Sequence, residues 1–171
     1  MSNFSAPARA AIVSMVIAAL PATVFAAELE RQHCTPIHAQ IIATQFAKGC
    51  TSPVGLCTMG TIEGNLGLNG VTQFVGDSLD AGLTTAPDAP ATLAYSGVLH
   101  ITTASHETIT LRDTGVFDTA TGTPTGGFFA AFERIEGATG RFAQASGSIF
   151  SVGTTLNGRL VAQISGELCW P

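Results

Sequence analysis

Two carboxylates and one phenol sit where an apolar strand face would strip them of water: Glu133 in Phe-Phe-Ala-Ala-Phe-Glu-Arg-Ile, Asp113 in Ile-Thr-Leu-Arg-Asp, and the sole tyrosine, Tyr95, in Thr-Leu-Ala-Tyr-Ser. Successive strand side chains point to opposite faces. Glu133 therefore shares a side with Phe129, Ala131 and Ile135, Asp113 with Glu107, Ile109 and Leu111, and Tyr95 with Leu93, Leu99 and Ile101. Desolvation on such a face raises a carboxyl pKa and suits the group to general acid or base work, while a tyrosine hydroxyl can orient a ligand. Glu133, Asp113 and Tyr95 are the candidate catalytic residues. The competing reading is structural, with Arg112 or Arg134 as the partner of either acid and Tyr95 as a core residue whose hydroxyl makes one hydrogen bond.

Other chemistries find less support. His100 and His106 flank one turn without a third ligand at metal spacing, and read as surface residues. No Gly-x-Ser-x-Gly elbow supports a serine nucleophile, and a narrow β-protein offers no open cleft for a polysaccharide to meet paired carboxylates. Cys34, Cys50, Cys57 and Cys169 contain no Cys-x-x-Cys pair of the kind that holds zinc. The glycines at 137, 140 and 147 read as turn and close-approach positions, because no helix follows them to cradle a phosphate. No cofactor and no metal are expected.

The elements that must position these residues follow an export signal. Arg9 gives a positive start, Ala10 to Leu20 an apolar run, Pro21 a break and Val24-Phe25-Ala26 a small-residue cleavage site. Residues 1–26 are read as a cleavable signal peptide and 27–171 as a single domain, long enough to bury a core. Eleven apolar residues are too few to span a bilayer, and no comparable run follows. The destination is the periplasm or the exterior, where four cysteines read as disulfides. Without Arg9 the charge moves from −5 to −6, which argues against nucleic acid or anionic lipid as partner.

Beyond the signal, the pattern is alternation broken by turn residues, with no long amphipathic helix. Strands are predicted over 36–46, 59–66, 71–79, 91–103, 107–117, 127–137, 147–155 and 158–168. Turn signals between them are Ser52-Pro53 with Gly55, Asn69-Gly70, Pro87 and Pro90, Gly122 with Pro124, Ala138-Thr139-Gly140, and Asn157-Gly158. Asn157-Gly158 is the strongest, since a type I′ turn needs two positive φ angles. Eight consecutive strands with mostly short connections predict an all-β fold, an eight-stranded antiparallel up-and-down barrel. In such a barrel the first strand lies beside the eighth, so Cys34 is expected to pair with Cys169, and Cys50 with Cys57 across the first loop. Trp170 is expected to cap the barrel end. Phe128, Phe129, Phe132, Phe142 and Phe150 could plug the interior.

Gly137-Ala138-Thr139-Gly140-Arg141-Phe142-Ala143-Gln144-Ala145-Ser146-Gly147 resembles the G-x-T/S-G-x-F-x-x-A-x-G segment of the allene oxide cyclase and dirigent barrels. Asp113-Thr114-Gly115-Val116-Phe117-Asp118 is similar to a strand-end pattern of exported bacterial relatives of that barrel. The resemblance is strongest over the C-terminal half. It implies an eight-stranded barrel with an apolar cavity, used to cyclise a fatty-acid epoxide or to steer phenol coupling, and it leaves self-association into a homo-oligomer open. The family's catalytic glutamate, asparagine and proline do not map onto positions here. The reading from sequence is therefore an exported β-barrel that binds a small lipophilic molecule, non-catalytic or structural. The alternative is a cyclase or isomerase acting on a lipophilic or phenolic substrate.

Overall fold

The structure, a computed structural model, describes residues 33–81, 92–119 and 126–171. Residues 1–26, predicted to be a signal peptide, and the predicted turn residues Pro87, Pro90, Gly122 and Pro124 lie outside the described residues. Eight strands, β1 (His33–Gln45), β2 (Cys57–Gly64), β3 (Gly70–Ala81), β4 (Thr92–Thr103), β5 (Thr108–Asp118), β6 (Gly126–Ala138), β7 (Ser146–Leu156) and β8 (Arg159–Trp170), close into one antiparallel barrel in sequence order. Each predicted strand appears within three residues of its expected bounds. β1 begins earlier than predicted, at His33, because its ladder with β8 runs on through Cys34 opposite Cys169. Pro36 is tolerated there because β2 pairs with β1 only from Ala39 onward, so its missing N–H interrupts no ladder on that side.

The two disulfides are the expected ones, Cys34–Cys169 across the β1–β8 seam and Cys50–Cys57 across the first loop. The second ties the loop to the start of β2. Ser52 Oγ donates to the Gly76 carbonyl and accepts from the Leu56 amide, which brings the Leu56 side chain to the barrel mouth.

Turn chemistry agrees with expectation at β7–β8, where Asn157 and Gly158 have φ of 52° and 75°. It differs at β2–β3, where the chain reverses at Leu66 and Gly67, the residues with positive φ, rather than at Asn69-Gly70. Asn69 instead accepts the Gly64 N–H through Oδ1. The β6–β7 connection is not a tight hairpin. A 3-10 turn, Gly140–Phe142, drives Phe142 to 1% exposure inside the barrel end. Arg141 lies over the Phe142 ring, pairs with Glu107 and donates to the Gly67 carbonyl, and Trp170 Nε1 donates to the Arg141 carbonyl. Phe142, Leu68 and Leu168, all fully buried, thus close one end under a cap that includes Trp170. Gly140 and Gly147 have positive φ, as read from sequence, but Gly137 has neither positive φ nor a neighbour that a Cβ would meet. It lies beside a register shift opposite Thr110/Leu111.

One packing device recurs around the inner wall. Phe74 lies against Gly97 of the next strand, Tyr95 against Gly115, Phe117 against Gly127 and Phe129 against Gly153, each ring within 2.9 Å of where a Cβ would stand. The absence of a side chain at each glycine lets the ring approach the neighbouring strand, so a narrow barrel accommodates four aromatics without filling its lumen. At Gly97 an added Cβ would lie 2.5 Å from both Phe74 Cζ and the Val75 carbonyl oxygen. Gly97→Ala is therefore expected to lose about 1–3 kcal/mol in urea unfolding, with Phe74 displaced into the lumen.

Of the five phenylalanines considered as a plug, only Phe129 and Phe142 turn inward. Phe128, Phe132 and Phe150 are 44–56% exposed, because they occupy the alternate, outward register of the same strands. The outer wall also carries Gln40, Glu63, Gln73, Gln163 and Glu167, all exposed. The lumen is mostly apolar, unlike the polar interior of a membrane-spanning barrel, and the outer wall mixes these polar residues with exposed Val71, Val116, Phe128, Phe132, Phe150 and Val152. No helix among the described residues is long and apolar enough to cross a membrane.

Candidate functional site

The closed end is packed solid by Ile37, Ile101, Ile109, Leu111, Phe142 and Leu168. Toward the other end the small residues Ala162, Ser151, Thr58 and Thr72 replace them, and the lumen opens into a cavity of about 290 Å³. Its walls are mostly apolar, with Phe74, Leu99, Phe117, Phe129 and Leu160 contributing much of them. Asp113, Glu133 and Tyr95, the three residues singled out from sequence, all line this one cavity.

Asp113 and Glu133 are direct cross-strand partners on β5 and β6. Their inward neighbours toward the closed end, Leu111 and Ile135, pack with the core, so the carboxyls sit at the floor of the cavity. Glu133 is 1% and Asp113 7% exposed. Asp113 Oδ1 and Glu133 Oε2 have no hydrogen-bond partner. Ser151 donates a hydrogen bond to the Glu133 carboxyl, which partly offsets its burial.

Burial is the dominant influence on all three groups. It raises Asp113 to about 8, helped by repulsion from Glu133 and opposed by the Arg112 charge. It raises Glu133 to about 7. Tyr95, wedged edge-on against Phe74 with ring centroids 6.0 Å apart, is also pushed up, first by burial and then by the two acids. Near neutral pH the pair of acids holds protons that solvent-exposed carboxyls would have released.

The expectation that Arg112 or Arg134 pairs with these acids is corrected. Each arginine is the chain neighbour of an acid and so projects through the opposite face of its strand. Arg112 forms a short ion pair with Asp77 and also reaches Ser96, on the outside, and Arg134 is exposed. Glu107, read as sharing Asp113's side, does so but at the closed end, where it binds Arg141 Nε at 3.0 Å. His100 is exposed and shares a hydrogen bond with Thr110, and His106 occupies the turn with a φ of 65°. The closest approach to a metal-ligand cluster among the described residues is Cys34, Cys169 and Glu167, and both its sulfurs are consumed in the seam disulfide.

Sequence reasoning missed the polar part of the wall, namely Thr58, Thr72, Ser151 and Thr155, which read as ordinary strand residues. It also missed Leu56, whose place at the mouth depends on the folded first loop. No protein-family model matches this chain, and no curated protein or solved structure matches it either. What the site offers chemically therefore follows from its geometry: an apolar chamber, enterable from one end, with two proton-holding carboxyls and a phenol at its floor.

Proposed function

We propose that this chain is an exported barrel protein that takes up one small, mainly apolar molecule in its lumen and releases it unchanged. The observation that carries the reading is the cavity itself. An apolar cavity of ~150 Å³ suffices for benzene, so 290 Å³ suits a ligand of about twelve non-hydrogen atoms by the same proportion. The signal-like residues 1–26 support export, and two disulfides with no free cysteine among the described residues are compatible with an oxidising compartment. The resemblance of residues 137–147 to the allene oxide cyclase and dirigent barrels supports use of the lumen. Ligand binding is tested by calorimetric titration of 1-naphthylmethanol, a neutral probe of about twelve non-hydrogen atoms, which is expected to bind to the protein and to lose its affinity on Ala162→Phe, which fills the lumen. Unchanged affinity in that variant, with its far-UV spectrum intact, means that the probe binds outside the barrel and removes the reading.

A second reading, a cyclase or isomerase, is favoured by one observation: burial brings both floor carboxyls near neutrality, where one can donate and the other accept a proton. An enzyme would lose turnover on Glu133→Gln, whereas a carrier would retain its affinity for neutral apolar compounds.

A further inference from the structure

The cavity floor is built for a charge that the protein does not itself supply. Among the described residues that line the cavity, the ionisable ones are Asp113, Glu133 and Tyr95, and every one of them is acidic. The groups facing the two acids from neighbouring strands are Tyr95 on β4, Ser151 on β7, Ala162 on β8 and Ile41 on β1, none of them cationic. Arg112 and Arg134 stand on the far sides of β5 and β6. A buried carboxyl oxygen without a partner is costly, and here there are two, one on each of two paired residues.

Resting on the reading of the barrel as a small-molecule carrier, we infer that its ligand is an apolar primary amine, with the ammonium seated on Asp113 and Glu133 and the hydrocarbon body lying toward Phe117, Phe129 and Leu160. A primary ammonium carries three N–H donors. Two match the unpartnered Oδ1 and Oε2, and the third is available to the Tyr95 hydroxyl oxygen. A fatty acid or other anion meets two carboxyls and no cation, and a quaternary ammonium has no N–H to give. Because the acids hold protons in the empty cavity and lose them against an ammonium, uptake of the amine releases protons to solvent.

Three isosteric probes of about twelve non-hydrogen atoms separate this inference from the reading beneath it: 1-naphthylmethylamine, 1-naphthylmethanol and 1-naphthoic acid, titrated calorimetrically into the full chain at pH 7.5. The amine is expected to bind at least tenfold more tightly than the alcohol, with the acid weakest. Asp113→Asn with Glu133→Gln is expected to bring the amine down to the alcohol's affinity. Should that double variant fail to fold, the wild-type protein still decides the matter. Titrations in buffers of different ionisation enthalpy are expected to show proton release with the amine and none with the alcohol. Alcohol binding equal to amine binding, or amine binding without proton release, overturns the amine inference and leaves the carrier reading standing. Failure of all three probes to bind overturns both.

Discussion

Removing both sulfurs of the seam bond, as Cys34→Ala with Cys169→Ala, is expected to destabilise the barrel by about 5 kcal/mol, whereas removing Cys50 and Cys57 together costs about 2 kcal/mol. The difference comes from the loops that the bonds close, with sequence separations of 135 and 7 residues. A bond between nearly the two ends of the domain removes far more freedom from the unfolded chain than one across a short loop. The folded state adds a reason of its own. The β1–β8 ladder, His33 to Thr44 against Trp170 to Arg159, is the pairing of greatest sequence separation, and without it the sheet has two open edges. Typical domains are stable by only 5–15 kcal/mol. The seam variant is thus expected to melt roughly 10–20 °C below the wild type, with the first-loop variant much closer to it. Thermal melts of both variants under non-reducing conditions check this. Equal losses from the two removals would mean that barrel closure is set by the hydrogen-bond ladder alone.

The same seam shows why so much of the fold is legible in the chain. A strand repeat of two is strict, and Ile37-x-Ala39-x-Ile41-x-Ala43 or Ile109-x-Leu111-x-Asp113 can be satisfied in one register only, since a slip by one residue would turn the whole inner row outward. Consecutive antiparallel strands then leave little choice of topology, and the cysteines follow from it. Asn157-Gly158 is equally readable, because positive φ at two adjacent positions restricts residue choice severely. What resisted reading depends on contacts distant in sequence. The segment 139–145 looks like a tight turn because its residues are small, yet its conformation serves Phe142, and only the assembled barrel end provides the space that Phe142 fills.

The candidate site was legible in its members and misread in its surroundings. Alternation placed Asp113, Glu133 and Tyr95 on the inner face, but applied consistently it also sends Arg112, Arg134, Phe128 and Phe132 outward, so neither the arginine partners nor the phenylalanine plug was available. The lumen's openness had a signal too. Phe74-x-Gly76, Tyr95-x-Gly97, Gly115-x-Phe117 and Gly127-x-Phe129 pair an inward ring with an inward glycine in four strands, which is how a small barrel carries aromatic side chains and keeps free space. The volume of that space depends on shear and strand tilt, which no local pattern encodes.

The stability of the ligand-free barrel is expected to decline as pH rises from about 4 to about 8, opposite to the usual behaviour of a protein whose acids are paired. The ordinary values are 3.8 for Asp113 and 4.5 for Glu133, and in the folded barrel they stand at about 8 and about 7. Below pH 4 folded and unfolded chains both hold these protons, and pH has no leverage through them. Between the two sets of values the unfolded chain has released its protons while the folded chain retains them, so each further pH unit favours unfolding by up to about 1.4 kcal/mol per group. Above about pH 8 both states are ionised and the loss is complete, on the order of several kcal/mol. Asp77 and Glu107 act in the other direction: hydrogen bonds from Ser96 and Arg112 hold Asp77 down, and the Arg141 backbone N–H holds Glu107 down. Both are surface pairs, weak by nature, and their contribution is lost only as pH falls below the carboxylate range, outside the window at issue. Melting temperatures recorded from pH 4 to 9 are therefore expected to drop by roughly 10 °C or more across neutrality, and Asp113→Asn with Glu133→Gln is expected to flatten the profile and to melt above the wild type at pH 8. Melting temperatures that climb through this range would show that the floor carboxyls are ionised and compensated in the empty barrel, which would remove the electrostatic vacancy on which a cationic ligand depends.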